Sequence, residues 1–339
     1  MAEVEITTEL QEIQSNLWGV NVRENIALAL EKLQNLPEEP NPIQGSLNLS
    51  LLDTASWKLG LLKNSIQGKE DTLQSRKDQL ARIKAKLEQV SGRTILQYGQ
   101  CGDDVYYAIC DDGEAALYGT GATYDYTFHD SVFYQNDQIK KIVLSNGITG
   151  LGDRLFYHCA NAETVSLPAT LTSIGNAAFA QEDAISNYTA GLTSVTIPQA
   201  VTAIQSYAFY HTAIAEVTVP ANVKTWGKYA FSGCAKLKTA RVACDSIGAF
   251  AFTRCTALSS LTISANCRIF GENMLTYCES LTAITYEGTI AQWNAITKPV
   301  NWMSSGEHSY NNYLKKIQCV DGYLEYDPEN NVWNEVKNG

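Results

Sequence analysis

The chain is poor in the residues and runs that most enzymes and membrane proteins need. Of its 339 residues only four are histidine and three are methionine. It has no apolar run of the roughly 18 residues that a membrane-spanning helix requires, so nothing in it reads as crossing a bilayer. The opening stretch MAEVEITTELQEIQ has neither a basic nor an apolar region of the secretory kind, so no export signal is expected. H-E-x-x-H, C-x-x-C, G-x-S-x-G and P-loop strings are missing. Positive charge is short as well: 25 Lys and Arg against 36 Asp and Glu give a net charge of −11, the wrong sign for neutralising phosphate. The expectation is therefore a protein that is not an enzyme, with no cofactor, no bound metal, and neither nucleic acid nor membrane as a partner.

What the chain has is a repeat. LTSVTIPQAVTAIQSYAF (192–209) and IAEVTVPANVKTWGKYAF (214–231) place apolar residues at the same offsets. The leading apolar residue recurs at Ile139, Ala162, Leu192, Ile214, Leu237, Leu258 and Leu281, in steps of 23, 30, 22, 23, 21 and 23 residues. A period in this range marks a solenoid, in which each unit buries its apolar edge only by stacking on the next. Each unit opens on a short alternating strand, such as Val195-Thr196-Ile197, and proline then stops several of them. A bulky apolar residue followed by glycine comes next, as in Trp226-Gly227, and reads as a corner with positive φ or close backbone approach. Then follows a plug: Phe156, Phe179, Phe209, Phe231, Phe252 or Leu275. Cys159, Cys234, Cys255 and Cys278 each sit three residues after a plug, so they read as a buried ladder of small side chains. With no export signal read, a reducing compartment suits them.

This pattern closely resembles the BspA-like leucine-rich repeats of bacterial and protist surface proteins, over residues 98–320. The stretch 99–126 resembles the hairpin that precedes such repeats, and ITYEGTIAQWNAI (284–296) resembles their C-terminal cap. The resemblance implies a binding scaffold.

Upstream, helical spacing runs through residues 5–36, broken at Trp18-Gly19. Residues 10–34 resemble the N-terminal segment of tail and baseplate proteins of Firmicutes phages. That likeness implies attachment to a particle through Trp18, Gly19, Val22 and Arg23; an ordinary helical hairpin is the other reading. A proline-rich linker (37–46) follows. Leu52, Leu59, Ile66, Leu73, Leu80 and Leu87 then form a heptad row, which predicts a trimeric coiled coil over 47–91, or an antiparallel hairpin broken near Gly68.

The expected fold class is thus α+β: a helical attachment segment (1–36), linker, helical stalk (47–91), β cap (92–138), six-unit solenoid (139–286) and C-terminal cap (287–339). The expected function is that of a phage or phage-like receptor-binding protein on a virion, a homotrimer contacting other tail or baseplate proteins and a host-surface protein or glycan. A bacterial cell-surface adhesin and a cytosolic scaffold are the alternatives. Candidate receptor contacts are Ser166, Thr196, Thr218, Arg241 and Thr262 on the strand row, with Asn187 and Tyr188 in an insertion that lengthens the second unit. Asp103-Asp104 and Asp111-Asp112 flank a strand pair, as solvated turn acids or as calcium ligands.

Overall fold

The computed structural model describes residues 94–181, 190–303, 313–330 and 332–338, with Gln74, Ser75 and Asp78. The chain divides into two compact units, Met1–Lys77 and Asp78–Gly339, and the described residues lie almost wholly in the second.

That unit starts with an antiparallel meander, β1 (Ile95–Gln100), β2 (Gly102–Cys110) and β3 (Glu114–Thr123). β3 is long because it starts two sheets. Its first half pairs in parallel with β4 (Lys141–Leu144), and its far end with β5 (Ile148–Leu151). The change of direction between them falls at Gly119, at φ +120, where a Cβ would collide with the carbonyl oxygen of Asp104. Only glycine meets both demands.

From there the chain winds through seven turns, led by the buried residues Ile139, Ala162, Leu192, Ile214, Leu237, Leu258 and Leu281. The first strand of each turn stacks in register: β4 on β6 (Thr164–Ser166), then β9 (Glu216–Val219), β11 (Thr239–Val242), β13 (Ser260–Ile263) and β15 (Ala283–Tyr286). At the turn with the insertion the strand shrinks to a single bridge, Thr164 to Ser194. A second parallel row runs from β5 through β7 (Ser173–Ile174) and β8 (Ala203–Ile204) to β10 (Thr225–Trp226), and continues as the pair β12 (Ser246–Ile247) and β14 (Ile269–Phe270).

The third side of each turn carries the plug. Phe133, Phe156, Phe179, Phe209, Phe231 and Phe252 form one internal stack, with successive ring centroids 4.7, 5.6, 5.4, 5.0 and 6.0 Å apart. Each aromatic pair adds about 0.5–1.5 kcal/mol beyond the area it buries. Phe133 lies within the stretch read from sequence as cap, yet it is the first rung. The cysteine ladder is built as read. The thiols of Cys159, Cys234, Cys255 and Cys278 donate to the carbonyl oxygens of Phe133, Phe209, Phe231 and Phe252 in the preceding turn, at 3.0–3.2 Å. Thr212 takes the same slot, and its hydroxyl donates to the Phe209 carbonyl at 2.9 Å.

The far end is closed by α1 (Ile290–Asn294), capped by Thr289 and Gln292, and by Trp293 and Trp302 packed on Phe270 at 5.5 and 5.3 Å. β16 (Lys316–Cys319) then adds in parallel to β15. β17 (Gly322–Asp327) and β18 (Val332–Lys337) extend the same sheet antiparallel.

The α+β class with an N-terminal helical stalk is corrected here. From residue 94 onward the described residues are almost entirely β, with one five-residue helix, and the described residues show no N-terminal helical stalk. The heptad spacing reports a periodicity, which by itself does not decide between a coiled coil and other arrangements. Leu52, Leu59, Ile66, Leu73, Leu80 and Leu87 lie outside the described residues, as do Trp18, Gly19, Val22 and Arg23.

Candidate functional site

The chain's most regular solvent face is the outer side of the first strand row. Along each strand the apolar residues alternate inward: Val217 and Val219, Ala240 and Val242, Leu261 and Ile263 are buried. The slot before each pair and the slot within it point out. One column holds Lys141, Thr164, Ser194, Glu216, Thr239, Ser260 and Ala283. The other holds Val143, Ser166, Thr196, Thr218, Arg241, Thr262 and Thr285. Among the sequence-derived contacts, Ser166, Thr196 and Thr218 are exposed, and Arg241 and Thr262 half-buried. Thr218, Arg241, Thr262 and Thr285 are directly opposite one another on adjacent strands. The hydroxyl-bearing Thr262 and Thr285 are thus one strand spacing, ~4.8 Å, apart, with Thr218 on the far side of Arg241. Each hydroxyl can donate and accept, and the ladder beneath fixes its position.

Arg241 is already engaged. Its guanidinium reaches past the Thr262 strand to Glu287, with Nη2 at 2.8 and 3.0 Å from the two carboxylate oxygens and Nε at 3.3 Å. Lys141 likewise pairs with Glu114 at 2.9 Å. The face therefore carries ion-paired charges at Lys141 and Arg241, the exposed carboxylate of Glu216 between them, and hydroxyls at most of the other positions. Asn187 and Tyr188 lie outside the described residues.

The turn edge carries what sequence reading missed. Two residues before each plug, Arg154, Ala177, Tyr207, Tyr229, Phe250 and Asn273 all adopt left-handed φ, between 51 and 60°. Tyr207, Tyr229 and Phe250 stack externally, with centroids 5.0 and 4.5 Å apart. The repeat of one slot was the available signal, but its residues share no chemistry. The corner glycines resolve to close approach alone. Gly152, Gly175, Gly227, Gly248 and Gly271 keep ordinary φ, and a Cβ on Gly227 would meet the backbone nitrogen of Ser206. The positive φ comes two residues later, on non-glycine residues.

Reactive groups are not assembled on these faces. His158 packs against the rings of Tyr134 and Tyr157, at 6.3 and 6.4 Å, while the neighbouring Cys159 thiol is committed to a carbonyl in the core. Burial pushes the thiols of Cys159, Cys234 and Cys278 up to about 12, and Cys255 well above its ordinary value. Such thiols stay protonated and unreactive. Asp103-Asp104 and Asp111-Asp112 stand at opposite ends of the nine-residue β2, too far apart to share one ion. Among the described residues no group of three or more His, Cys, Asp or Glu is placed to hold a metal.

Comparison with known proteins places the repeats. The model of the BspA type leucine rich repeat region matches in six copies, over residues 126–191 and 183–297. No curated protein matches the chain. Among solved structures, a leucine-rich repeat protein from Eubacterium ventriosum is 18% identical, with 66% of this chain and 84% of that chain covered and a TM-score of 0.34. The Treponema pallidum leucine-rich repeat protein is 22% identical, with 55% and 87% covered and a TM-score of 0.39. A leucine-rich cell surface protein from Faecalibacterium prausnitzii is 15% identical, with 60% and 97% covered and a TM-score of 0.27. The likeness of residues 10–34 to phage tail proteins finds no support among these matches.

Proposed function

We propose that this chain, which belongs to the BspA-type leucine-rich repeat family, is a bacterial cell-surface adhesin that binds through the outer face of its first strand row. The observation that carries this reading is the paired outward columns, hydroxyl-rich on a rigid parallel sheet. A regular, rigid face of that kind suits recognition, so the reading is of a binding protein. Neutral hydroxyls give directional hydrogen bonds without the desolvation cost of free charge. Family membership supports a surface role, since BspA-like repeats are those of bacterial and protist surface proteins. A virion role has no comparable support.

Two measurements test this. Antibody against the chain should label intact producing cells without permeabilisation. Purified full-length chain should bind some surfaces in a panel of host cells, bacterial cells and matrix proteins, saturably and in competition with unlabelled chain. Protease or periodate treatment of the bound surface then tells a protein receptor from a glycan. Labelling that needs permeabilisation, together with no saturable binding across the panel, would remove the adhesin reading.

A further inference from the structure

We propose that two copies of this chain join edge to edge through β18, making one continuous sheet. β18 is the last strand of the seven-stranded sheet, and among the described residues no strand pairs with its outer edge. The direction of its free groups follows from the register. Gly322 lies opposite Lys337, and the Asn338 amide donates to the Asp321 carbonyl at 3.0 Å. In an antiparallel pair, hydrogen-bonded residues alternate with non-bonded ones. Val332, Asn334 and Val336 therefore turn their backbone groups toward β17. Trp333, Glu335 and Lys337 turn theirs outward, where no strand among the described residues pairs with them.

The side chains choose the register of the partner. A twofold axis normal to the sheet keeps paired residues on the same face and must bring outward groups together. Centred on Glu335 it sets two carboxylates opposite each other, which is unfavourable. Centred on Asn334 it places Trp333 against Glu335 and matches no charges. Centred on Val336 it sets Glu335 opposite Lys337 twice, Val336 opposite Val336, and Asn334 opposite Asn338. Glu335 is already oriented for this, since one carboxylate oxygen accepts from Asn294 Nδ2 at 2.8 Å and leaves the other free for a lysine. On the outer face Val336, 36% exposed, lies directly opposite Tyr323 of β17. The twofold would give an apolar row of Tyr323, Val336, Val336 and Tyr323, flanked by Lys316 over the Tyr323 ring at 4.0 Å.

Edge strands often carry charge to prevent pairing. Here the two charges have opposite sign and stand two residues apart, so the twofold matches them instead of opposing them. The Thr218–Thr285 column is continuous through Gln318 and Tyr323 with Val336. The pair would therefore present twice as many outward rungs on one surface.

The test is sedimentation of the full-length chain over a wide concentration range, with charge changes at two positions. The mass should rise with concentration from 37.2 kDa toward twice that value. Glu335→Lys or Lys337→Glu alone should weaken association about tenfold or more, because two attractive pairs become two repulsive ones. Glu335→Lys with Lys337→Glu in the same chain should restore it, which a fold defect would not. Amide exchange at Glu335 and Lys337, but not at Asn334 and Val336, should slow as concentration rises. A single-chain mass throughout overturns the proposal. So does any assembly indifferent to the single charge changes, or a double variant no better than the singles.

Discussion

Individual residues of this chain are constrained by the turn above and below more than by their sequence neighbours. Phe209 is fully buried between Phe179 and Phe231. Phe209→Ala should cost about 3–5 kcal/mol in denaturant melts, while Thr196→Ala on the outer face should stay within about 0.5 kcal/mol. The inward register was legible because alternation and plug spacing both follow from burial. The corner glycines were only half legible. Sequence shows that a glycine is needed, but contact between stacked turns, which sequence does not show, decides between positive φ and close approach. The buried thiols add a pH dependence. Their folded pKa lies above the ordinary 9.0, at about 12 for Cys159, Cys234 and Cys278. A group with a raised folded pKa stabilises fully below its unfolded value, and that stability fades as pH climbs toward the folded one. Stability should hold flat from neutral pH to about 9, then fall by about 1.4 kcal/mol per pH unit for each such thiol. Melts at pH 7, 9 and 10 would show it. A curve unchanged at pH 10 would mean the thiols are solvated.

At the scale of elements, β3 matters most, because among the described residues it alone pairs with both strand rows. Gly119 permits that double role. Gly119→Val should cost several kcal/mol, on the order of the strain and overpacking of a forced backbone. Amide exchange should quicken in β4 and β5 before it does in β13. Uniform quickening would show that the cap is not a separable support. The hairpin and the far-end cap were legible as family resemblances. The long β3 was not, since its sequence, EAALYGTGAT, reads as a strand without revealing that it serves two sheets. The Arg241–Glu287 pair was equally hidden, because its partners are 46 residues apart. Both groups are substantially exposed, so a double-mutant cycle should yield only about 0.2–1 kcal/mol. The pair shapes the face more than it stabilises the fold.

For the whole molecule, periodicity was the dependable guide. A 21–23-residue step, with one longer interval at the insertion, gave the solenoid, its core and its outward columns. Heptad spacing upstream was extended into a stalk, and the resemblance of residues 10–34 to phage tail proteins into a virion role, and neither the described fold nor the family supports them. An outward hydroxyl column is legible as a face but not as a site, because threonine is also simply a good strand residue. The central claim is that binding resides on that face, and a comparison of two kinds of surface substitution tests it most directly. Full-length chain carrying Thr218→Arg and Thr262→Arg is measured for binding to the surface that the unaltered chain recognises, beside chain carrying Tyr229→Ala on the turn edge. The account predicts lost binding for the arginine pair at unchanged melting, and retained binding for the turn-edge variant. Retained binding by the arginine pair, with loss on altering Tyr229, would contradict it and move the binding site to the aromatic stack on the turn edge.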